Sequence, residues 1–282
     1  MEHQESRVPE YRLNKMTWPE IASARASAPL AIIPVGSCEQ HGPALTLETD
    51  TVRADGFASI LAERLSPLAV VTPTLSIGIS EHHMGFPGTL TLAPSTFIAM
   101  VFDVVESLVR HGWRRIFVLT GHGGNDAALG VLTTRIQREI PELSFAWSGI
   151  SPLITDLSTQ NAQSRIKGHS CELETSQTLY LSPSSVRIDR LEEGASDLDK
   201  LSDIASLSRS HKGVHYSLPY DRLSANGALG DPRLANIELG KLLIETAAER
   251  LTAFLFEFAQ RNPAPKVAQI DQAGGVQMET TK

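Results

Sequence analysis

Four residues whose side chains commonly bind metal ions lie in loops that follow short apolar runs of the chain. Glu39, His41 and Asp50 occupy a segment broken by glycine and proline, directly after the run 30–35. His122 stands between two glycines after a later apolar run. Imidazole nitrogens with carboxylate oxygens suit Zn²⁺, Mn²⁺ or Fe²⁺, and the lack of nearby paired thiolates argues against a structural zinc site. The four residues predict a metal centre.

The spacing of these residues suits a pair of cations. Residues two apart on an extended segment point the same way, so Glu39 and His41 can reach one cavity. Asp50 can bridge two metal ions through its two oxygens. Two cations about 3.5–4 Å apart can activate water and polarise a carbonyl, which metal-assisted hydrolysis requires. A lone E-x-H pair is more commonly a surface feature, so the prediction depends on several such loops occurring together.

The elements that must position these residues alternate between apolar strands and amphipathic helices. This alternation predicts an α/β fold whose parallel sheet is covered on both faces. In such folds, sites lie at the carboxyl ends of the strands. Three polar loops would converge there, each after a predicted strand: "GSCEQHG", "GISEHHMGFPGT" and "TGHGGN". The last could also be only a tight turn, and the second only a loop with solvated histidines.

A fourth segment, "KGHSCELETS", adds a histidine and two carboxylates near the start of a predicted helix. A neutral His169 there could act as a general acid that passes a proton to a leaving nitrogen. Glu172 and Glu174 fall in the first turn, where carboxylates also favourably oppose the helix dipole. Each of the two therefore has a purely structural explanation as well.

Composition indicates one sizeable globular domain. The chain has 282 residues, of which 41% are hydrophobic and 20% charged. We expect a loosely ordered segment over 1–16, a single domain over 17–262 and a disordered tail over 263–282. The net charge of −7 argues against a nucleic-acid partner. Two cysteines, no membrane-spanning run and no apolar leader predict a cytoplasmic protein that does not bind membranes.

Five segments in this order resemble the creatininase (creatinine amidohydrolase) family over roughly residues 30 to 260: "GSCEQHGPALTLETDT", "GISEHHMGFPGTLTL", "TGHGGN", "GHSCELETS" and "NGALGDPRLA". The resemblance implies a three-layer α/β/α fold with a central, mainly parallel sheet. It implies a centre of two divalent metal ions, Zn paired with Zn, Mn or Fe. It also implies hydrolysis of an amide C–N bond, usually in a cyclic amide or a formamide, by a homohexamer.

The resemblance also assigns roles to residues. Glu39 would bind one metal ion, His41 and His122 the other, and Asp50 would bridge the two. His169 stands where the family has the catalytic histidine that assists collapse of the tetrahedral intermediate.

Two departures suggest that the protein is not a true creatininase. Creatininases proper carry a metal-binding glutamate where this chain has Gly124, and Glu172 is the expected replacement, with Glu174 the next choice. They also carry a tryptophan where this chain has Arg165. That arginine, or Lys167, would clamp an anionic substrate.

His82 is expected to contact the substrate or a water molecule beside the metal ions, with Glu81 or His83 in a structural role. The predicted function is metal-dependent hydrolysis of a non-peptide C–N bond in a small molecule, with His169 as general acid. Alternatives are a metal-dependent hydrolase of lactones or other rings, an isomerase, or a non-catalytic metal-binding scaffold. Branches of the family act on formamidopyrimidine intermediates and on modified peptides, and the residues do not select between them.

Overall fold

The computed structural model describes residues 10–210 and 216–261. Among the described helices, none combines the length and apolarity needed to cross a bilayer. The helices and strands are, in chain order, α1 (Trp18–Ala24), β1 (Leu30–Val35), α2 (Thr49–Leu65), β2 (Ala69–Val71), α3 (Pro94–Arg110), β3 (Arg115–Thr120), α4 (Asp126–Glu139), β4 (Ser144–Gly149), α5 (Thr155–Asn161), α6 (Glu172–Leu181), α7 (Asp203–Ser210), α8 (Tyr220–Leu223) and α9 (Ile237–Gln260).

The four strands form one parallel sheet in the order β2-β1-β3-β4. Alternate residues of β1 enter two separate cores. Leu30 and Ile32 pack with α2, α6 and α9, whereas Ile33 and Val35 pack with α3 and α4 on the other face. A strand buried on both faces carries apolar residues without interruption, which explains the run "LAIIPV". The predicted three-layer α/β/α architecture is confirmed.

The strand order places a crevice beside the end of β1. From β1 the chain crosses through α2 to β2 on one side, and β3 then pairs with β1 on the other side. In open α/β sheets, such a reversal leaves a crevice outside the carboxyl ends of the two central strands. The loops after β1 and β3, which carry the predicted metal ligands, are therefore neighbours.

Residues 10–16 are ordered against the domain, contrary to the expected loose segment over 1–16. The Val71 amide donates to the Tyr11 carbonyl oxygen at 2.8 Å. Arg12 forms a bidentate pair with Asp55, with both N–O distances 2.8 Å. Such a pair anchors a polar segment that hydropathy alone marks as loose. Residues 1–9 and the predicted tail over 263–282 lie outside the described residues.

Two helix glycines provide a matched test of how closely α6 and α9 pack. A Cβ on Gly240 of α9 would overlap the Ser176 carbonyl oxygen of α6, whereas one on exposed Gly130 of α4 would meet nothing within 4 Å. Alanine favours a helix over glycine by roughly 1 kcal/mol. We expect Gly130→Ala to raise the free energy of unfolding by roughly 0.5–1 kcal/mol. Gly240→Ala should lower it by about 1–3 kcal/mol, because the helices must separate.

Urea unfolding of the two variants measures both changes. Equal stabilisation by both substitutions would show that α6 and α9 do not approach as closely as the structure describes.

Candidate metal centre

Eight side chains from five chain segments converge at the carboxyl rim of the sheet. They come from the loop after β1, the first turn of α2, the 3-10 turn Glu81–His83, the loop after β3 and the start of α6. All are buried or partly buried. They are Glu39, His41, Asp50, His82, His83, His122, His169 and Glu174.

The Asp50 carboxylate lies at the middle of this group. Its Oδ1 is 3.4 Å from Nε2 of His41, and its Oδ2 is 3.1 Å from Nδ1 of His122. The Ser37 hydroxyl donates to Oδ2 at 2.6 Å. The backbone at Gly121 comes so close that a Cβ there would overlap the Asp50 carbonyl oxygen. The two oxygens of one carboxylate thus face two histidines, which is the arrangement that a bridging ligand requires.

Backbone carbonyls orient the two histidine rings that flank Asp50. Nδ1 of His41 lies 3.2 Å from the Glu39 carbonyl oxygen, and Nε2 of His122 lies 2.9 Å from the Ile79 carbonyl oxygen. If each of these nitrogens donates to its carbonyl, the opposite nitrogen is an acceptor that faces Asp50. Metal-binding histidines are commonly fixed in this way.

The contacts divide the ligands into two halves that share Asp50. Nε2 of His122 lies 3.3 Å from Oε2 of Glu39. Nε2 of His41 lies 3.7 Å from Oε2 of Glu174. The division expected from the family resemblance placed His41 and His122 on one metal ion. That division stays a prediction: the loop after β3 meets the loop after β1 at the Glu39 carboxylate, and atoms of Glu39, His41 and Asp50 also lie within 4.8 Å of one another.

Glu172 does not reach the ligand group, although it was the expected replacement ligand. Its Oε1 accepts from the backbone amides of Gln163 and Ser164 at 3.0 and 2.9 Å, and its Oε2 accepts from the Ser164 hydroxyl. Glu174 faces His41 and His169 instead. Residues two apart on a helix point about 200° apart, so only one of the two can face the centre.

The structure places the two predicted substrate contacts differently. His82 lies among the ligands, with its half-buried ring stacked on that of His122 at 5.6 Å between centroids. Arg165 is 68% exposed and pairs with Asp197 at 3.3 Å, outside the ligand group. Its predicted role as a substrate clamp stays a prediction.

His83, which the sequence suggested only as structural, lies within the centre. Its Nδ1 is 2.8 Å from the Gln40 side-chain nitrogen, and its Nε2 is 3.2 Å from Oε1 of Glu39. Tyr220 of α8 covers this side, with its ring centroid 4.0 Å from that of His83 and 4.9 Å from that of His169. No spacing in the sequence links Tyr220 to these histidines.

Arg53 is a second residue that the sequence analysis missed. Its Nη1 donates to Asp50 at 3.2 Å and to Glu174 at 2.5 Å, and its Nη2 donates to Gln177 at 2.7 Å. The guanidinium therefore holds carboxylates from α2 and α6 side by side. Its position three residues after Asp50, on the same helix face, is the signal that could have identified it.

The charges of the centre fit bound cations. Glu39, Asp50 and Glu174 contribute three carboxylates, and among the described residues that touch them Arg53 is the one permanent cation. Both Glu39 oxygens and Nε2 of His41 are buried without a hydrogen-bond partner among the described residues. Such atoms are costly unless something binds them. Divalent cations would satisfy all of them.

In the metal-free protein, two histidines carry positive charge in place of a cation. Burial disfavours the imidazolium, yet Asp50, Glu174 and Glu39 raise the pKa of His41 to about 9. Burial also opposes the charged form of His122, but Glu39 and Asp50 hold its pKa well above the usual value. Burial, aided by the positive His41, holds the pKa of His169 well below its usual value, so that ring is neutral.

The fold and this ligand set define a three-layer α/β/α protein with a site suited to two divalent cations. A family model described as creatininase, creatinine amidohydrolase, matches residues 14–255. The chain belongs to the creatininase family.

Three related proteins are hydrolases by name. A mycofactocin precursor peptide peptidase from Mycolicibacterium smegmatis is 32% identical over 217 residues, 76% of this chain and 78% of the relative. The creatinine amidohydrolase of Pseudomonas putida is 27% identical over 264 residues, 84% of this chain and 93% of that enzyme. The 3-dehydro-scyllo-inosose hydrolase of Thermotoga maritima is 24% identical over 266 residues, 89% and 85% of the two chains.

Solved structures share the fold. A creatinine amidohydrolase (creatininase) structure has a TM-score of 0.76 at 22% identity, covering 89% of this chain and 99% of the other. Two further creatininase structures are described as of Zn-Zn type and as a Mn creatininase.

The charge on His41 makes the stability of the metal-free protein depend on pH. Because folding raises the pKa of His41 from 6.5 to about 9, its contribution is complete below about pH 6.5 and is lost as the pH rises through about 9. We expect the melting temperature of chelator-treated protein to fall across this range. Saturating Zn²⁺ should remove the fall, because ligating histidines must be neutral.

Melting curves of chelator-treated protein between pH 6 and 10 measure this effect. His41→Gln should make the fall smaller, with the contribution of His122 remaining, and His111→Gln, at the exposed end of α3, should leave the profile unchanged. A melting temperature that is constant over this range in the wild type would contradict the electrostatic account.

Proposed function

We propose that the protein is a metal-dependent amidohydrolase that cleaves an amide C–N bond. The observation that carries the proposal concerns the buried polar atoms of the centre. Both Glu39 oxygens and Nε2 of His41 have no hydrogen-bond partner among the described residues, and they lie beside Asp50, His122 and Glu174. Glu39, His122 and Asp50 would hold one divalent ion, and His41, Glu174 and Asp50 the other. Zinc and manganese suit this mixed set of oxygen and nitrogen ligands and occur in the related creatininase structures.

When bound, the ions supply Lewis acidity, which polarises the scissile carbonyl and lowers the pKa of water. The substrate carbonyl would therefore approach between the residues proposed to hold one ion and those proposed to hold the other. Glu39 and His41 come from one short loop, and Asp50 lies at the start of α2. This rigid support fixes the ligands before a substrate arrives and so limits the reorganisation that the reaction requires.

His169 is the residue that we propose moves a proton during the reaction. Its Nε2 lies 2.6 Å from the Gln40 carbonyl oxygen, so that nitrogen donates and Nδ1 is left as the acceptor. Nδ1 lies 3.7 Å from Oε1 of Glu39, at the edge of the ligand group. A neutral ring takes up a proton at Nδ1 from the attacking water and then gives it to the departing nitrogen. The general-acid role therefore follows a general-base step at the same atom.

The choice of amide is tested with a panel rather than a single compound. The sequence predicts that the substrate is a small cyclic amide or a formamide, in which the cleaved C–N bond is not a peptide bond. The relatives add peptides, because the Mycolicibacterium smegmatis protein is named a peptide peptidase. Hydrolysis of an amide C–N bond is common to both classes. Product analysis of cyclic amides, formamides and short peptides with the Zn²⁺- or Mn²⁺-loaded protein identifies the class.

A second candidate is hydrolysis of another ring, which the related 3-dehydro-scyllo-inosose hydrolase of Thermotoga maritima favours. Labelled water distinguishes the possibilities. Amide and lactone hydrolysis each add one solvent oxygen to the product, whereas an isomerase adds none. Release of an amine or ammonia then separates amide hydrolysis from cleavage of a lactone or carbon ring.

The variants Glu174→Gln and Glu172→Gln form a matched pair that tests which of the two glutamates binds a metal ion. Glu174→Gln should reduce the bound metal from about two ions per chain to about one, because its carboxylate faces His41. Glu172→Gln should retain both ions but lower the free energy of unfolding by about 1–3 kcal/mol, since it weakens the bonds that hold the Gln163–Ser164 backbone. Elemental analysis and urea unfolding measure the two effects. The reverse pattern would contradict the assignment of Glu174.

His169→Asn should separate catalysis from metal binding. The substitution removes the acceptor at Nδ1, and we expect kcat to fall by about 10²–10⁴-fold on any substrate found in the panel. Metal content should stay at the wild-type value, which elemental analysis checks. A variant with normal kcat would exclude His169 from proton transfer.

A further inference from the structure

His82 differs from the other histidines of the centre in its contacts. Its ring makes no hydrogen bond to any described residue, whereas His41, His122 and His169 each contact a backbone carbonyl. His83 is occupied by the Gln40 side chain. His82 therefore has both ring nitrogens available, although it lies half-buried at the edge of a charged centre.

The position of His82 suits a ligand. One atom each of His82, Glu39 and His122 lie within 4.8 Å of one another. The Glu39 oxygens are the buried atoms that have no hydrogen-bond partner. Two imidazoles that converge on a buried carboxylate form a ligand group typical of Zn²⁺ and related ions.

Gly124 lies beside His82 in the site. A Cβ at residue 124 would overlap Nε2 of His122 and the Ile79 carbonyl oxygen, and it would lie 2.9 Å from Cε1 of His82. The His122 ring, the Ile79 backbone and the His82 ring therefore surround a position that only glycine fits. His82 contributes an imidazole at the place where the chain has no side chain from residue 124.

We propose that His82, which lies beside Gly124, is a ligand of the metal ion held by Glu39, His122 and Asp50. The proposal rests on the proposed function, because it requires bound metal ions. It gives that ion four protein ligands, while the ion at His41 and Glu174 has three. His169 lies beside proposed ligands of both ions, with its ring centroid 4.2 Å from that of His41 and its Nδ1 3.7 Å from Oε1 of Glu39.

The test compares His82→Gln with His111→Gln, at the exposed end of α3, in metal-free full-length protein, and His83→Gln is measured beside them. Zn²⁺ affinity is measured by competition with a chromophoric chelator, and Co²⁺ loading is followed by its visible absorption, which reports the ligand number. Loss of the residue that orients a ligand typically weakens metal binding 10–100-fold, so loss of a ligand itself should weaken the binding of one ion at least tenfold.

We expect His82→Gln to show this loss and a changed Co²⁺ spectrum, and His111→Gln to bind both ions as the wild type does. The melting temperature of metal-free His82→Gln should match that of the wild type, because the ring makes no hydrogen bond.

The other outcomes overturn the proposal in distinguishable ways. Wild-type affinities and an unchanged Co²⁺ spectrum in His82→Gln would remove His82 from the ligands and leave the proposed function standing. The tenfold loss in His83→Gln instead would assign the ligand to His83. A wild-type protein that binds no Zn²⁺ or Co²⁺ would overturn this proposal and the proposed function together.

Discussion

The mutual repulsion of buried carboxylates is the constraint on which the centre depends. Glu39, Asp50 and Glu174 lie within one small volume that solvent barely reaches. Each negative charge in such surroundings needs a positive partner. Arg53 provides one by contacting Asp50 and Glu174 together. Protonated His41 and His122 balance the remaining negative charge. Bound metal ions would balance it in place of the two protons.

The sheet makes this concentration of charge possible. β1 and β3 are adjacent and parallel, so the loops at their carboxyl ends meet without long connections. Both strands are apolar along their length because helices cover both faces. Ordering the polar side chains of the centre costs free energy. Burial of the apolar core, to which these side chains do not belong, offsets that cost. Glycine at residue 121 allows the second loop to lie directly on the start of α2.

The related hydrolases are named for different substrates: a peptide, creatinine and an inosose. In this chain, the proposed ligands occupy short loops and helix starts at the rim of the sheet, whereas the groups around them come from segments farther from the sheet. Tyr220 belongs to the short helix α8, and Arg165 to an exposed stretch before α6. A constant centre for activating water and a variable wall around it would account for such diversity on one fold.

The sequence by itself determined the strands, the layered fold and most of the residues that the structure brings together in the candidate centre. β1 and the loop containing Glu39 and His41 are evident because burial on both faces imposes an apolar run, and because metal ligands are chemically distinctive. His169 is evident for the same reason. These properties are local, so a short stretch of chain is enough to show them.

Only the tertiary structure decided which side chains of the candidate centre lie together. That Glu174 rather than Glu172 faces His41 depends on the direction in which α6 presents its first turn. The contact of His122 with Glu39 depends on how the loop after β3 meets the loop after β1. The position of Tyr220 beside His83 and His169 depends on the packing of α8. Each is a contact between segments far apart in the chain, and residue types and spacing do not encode the relative orientation of such segments.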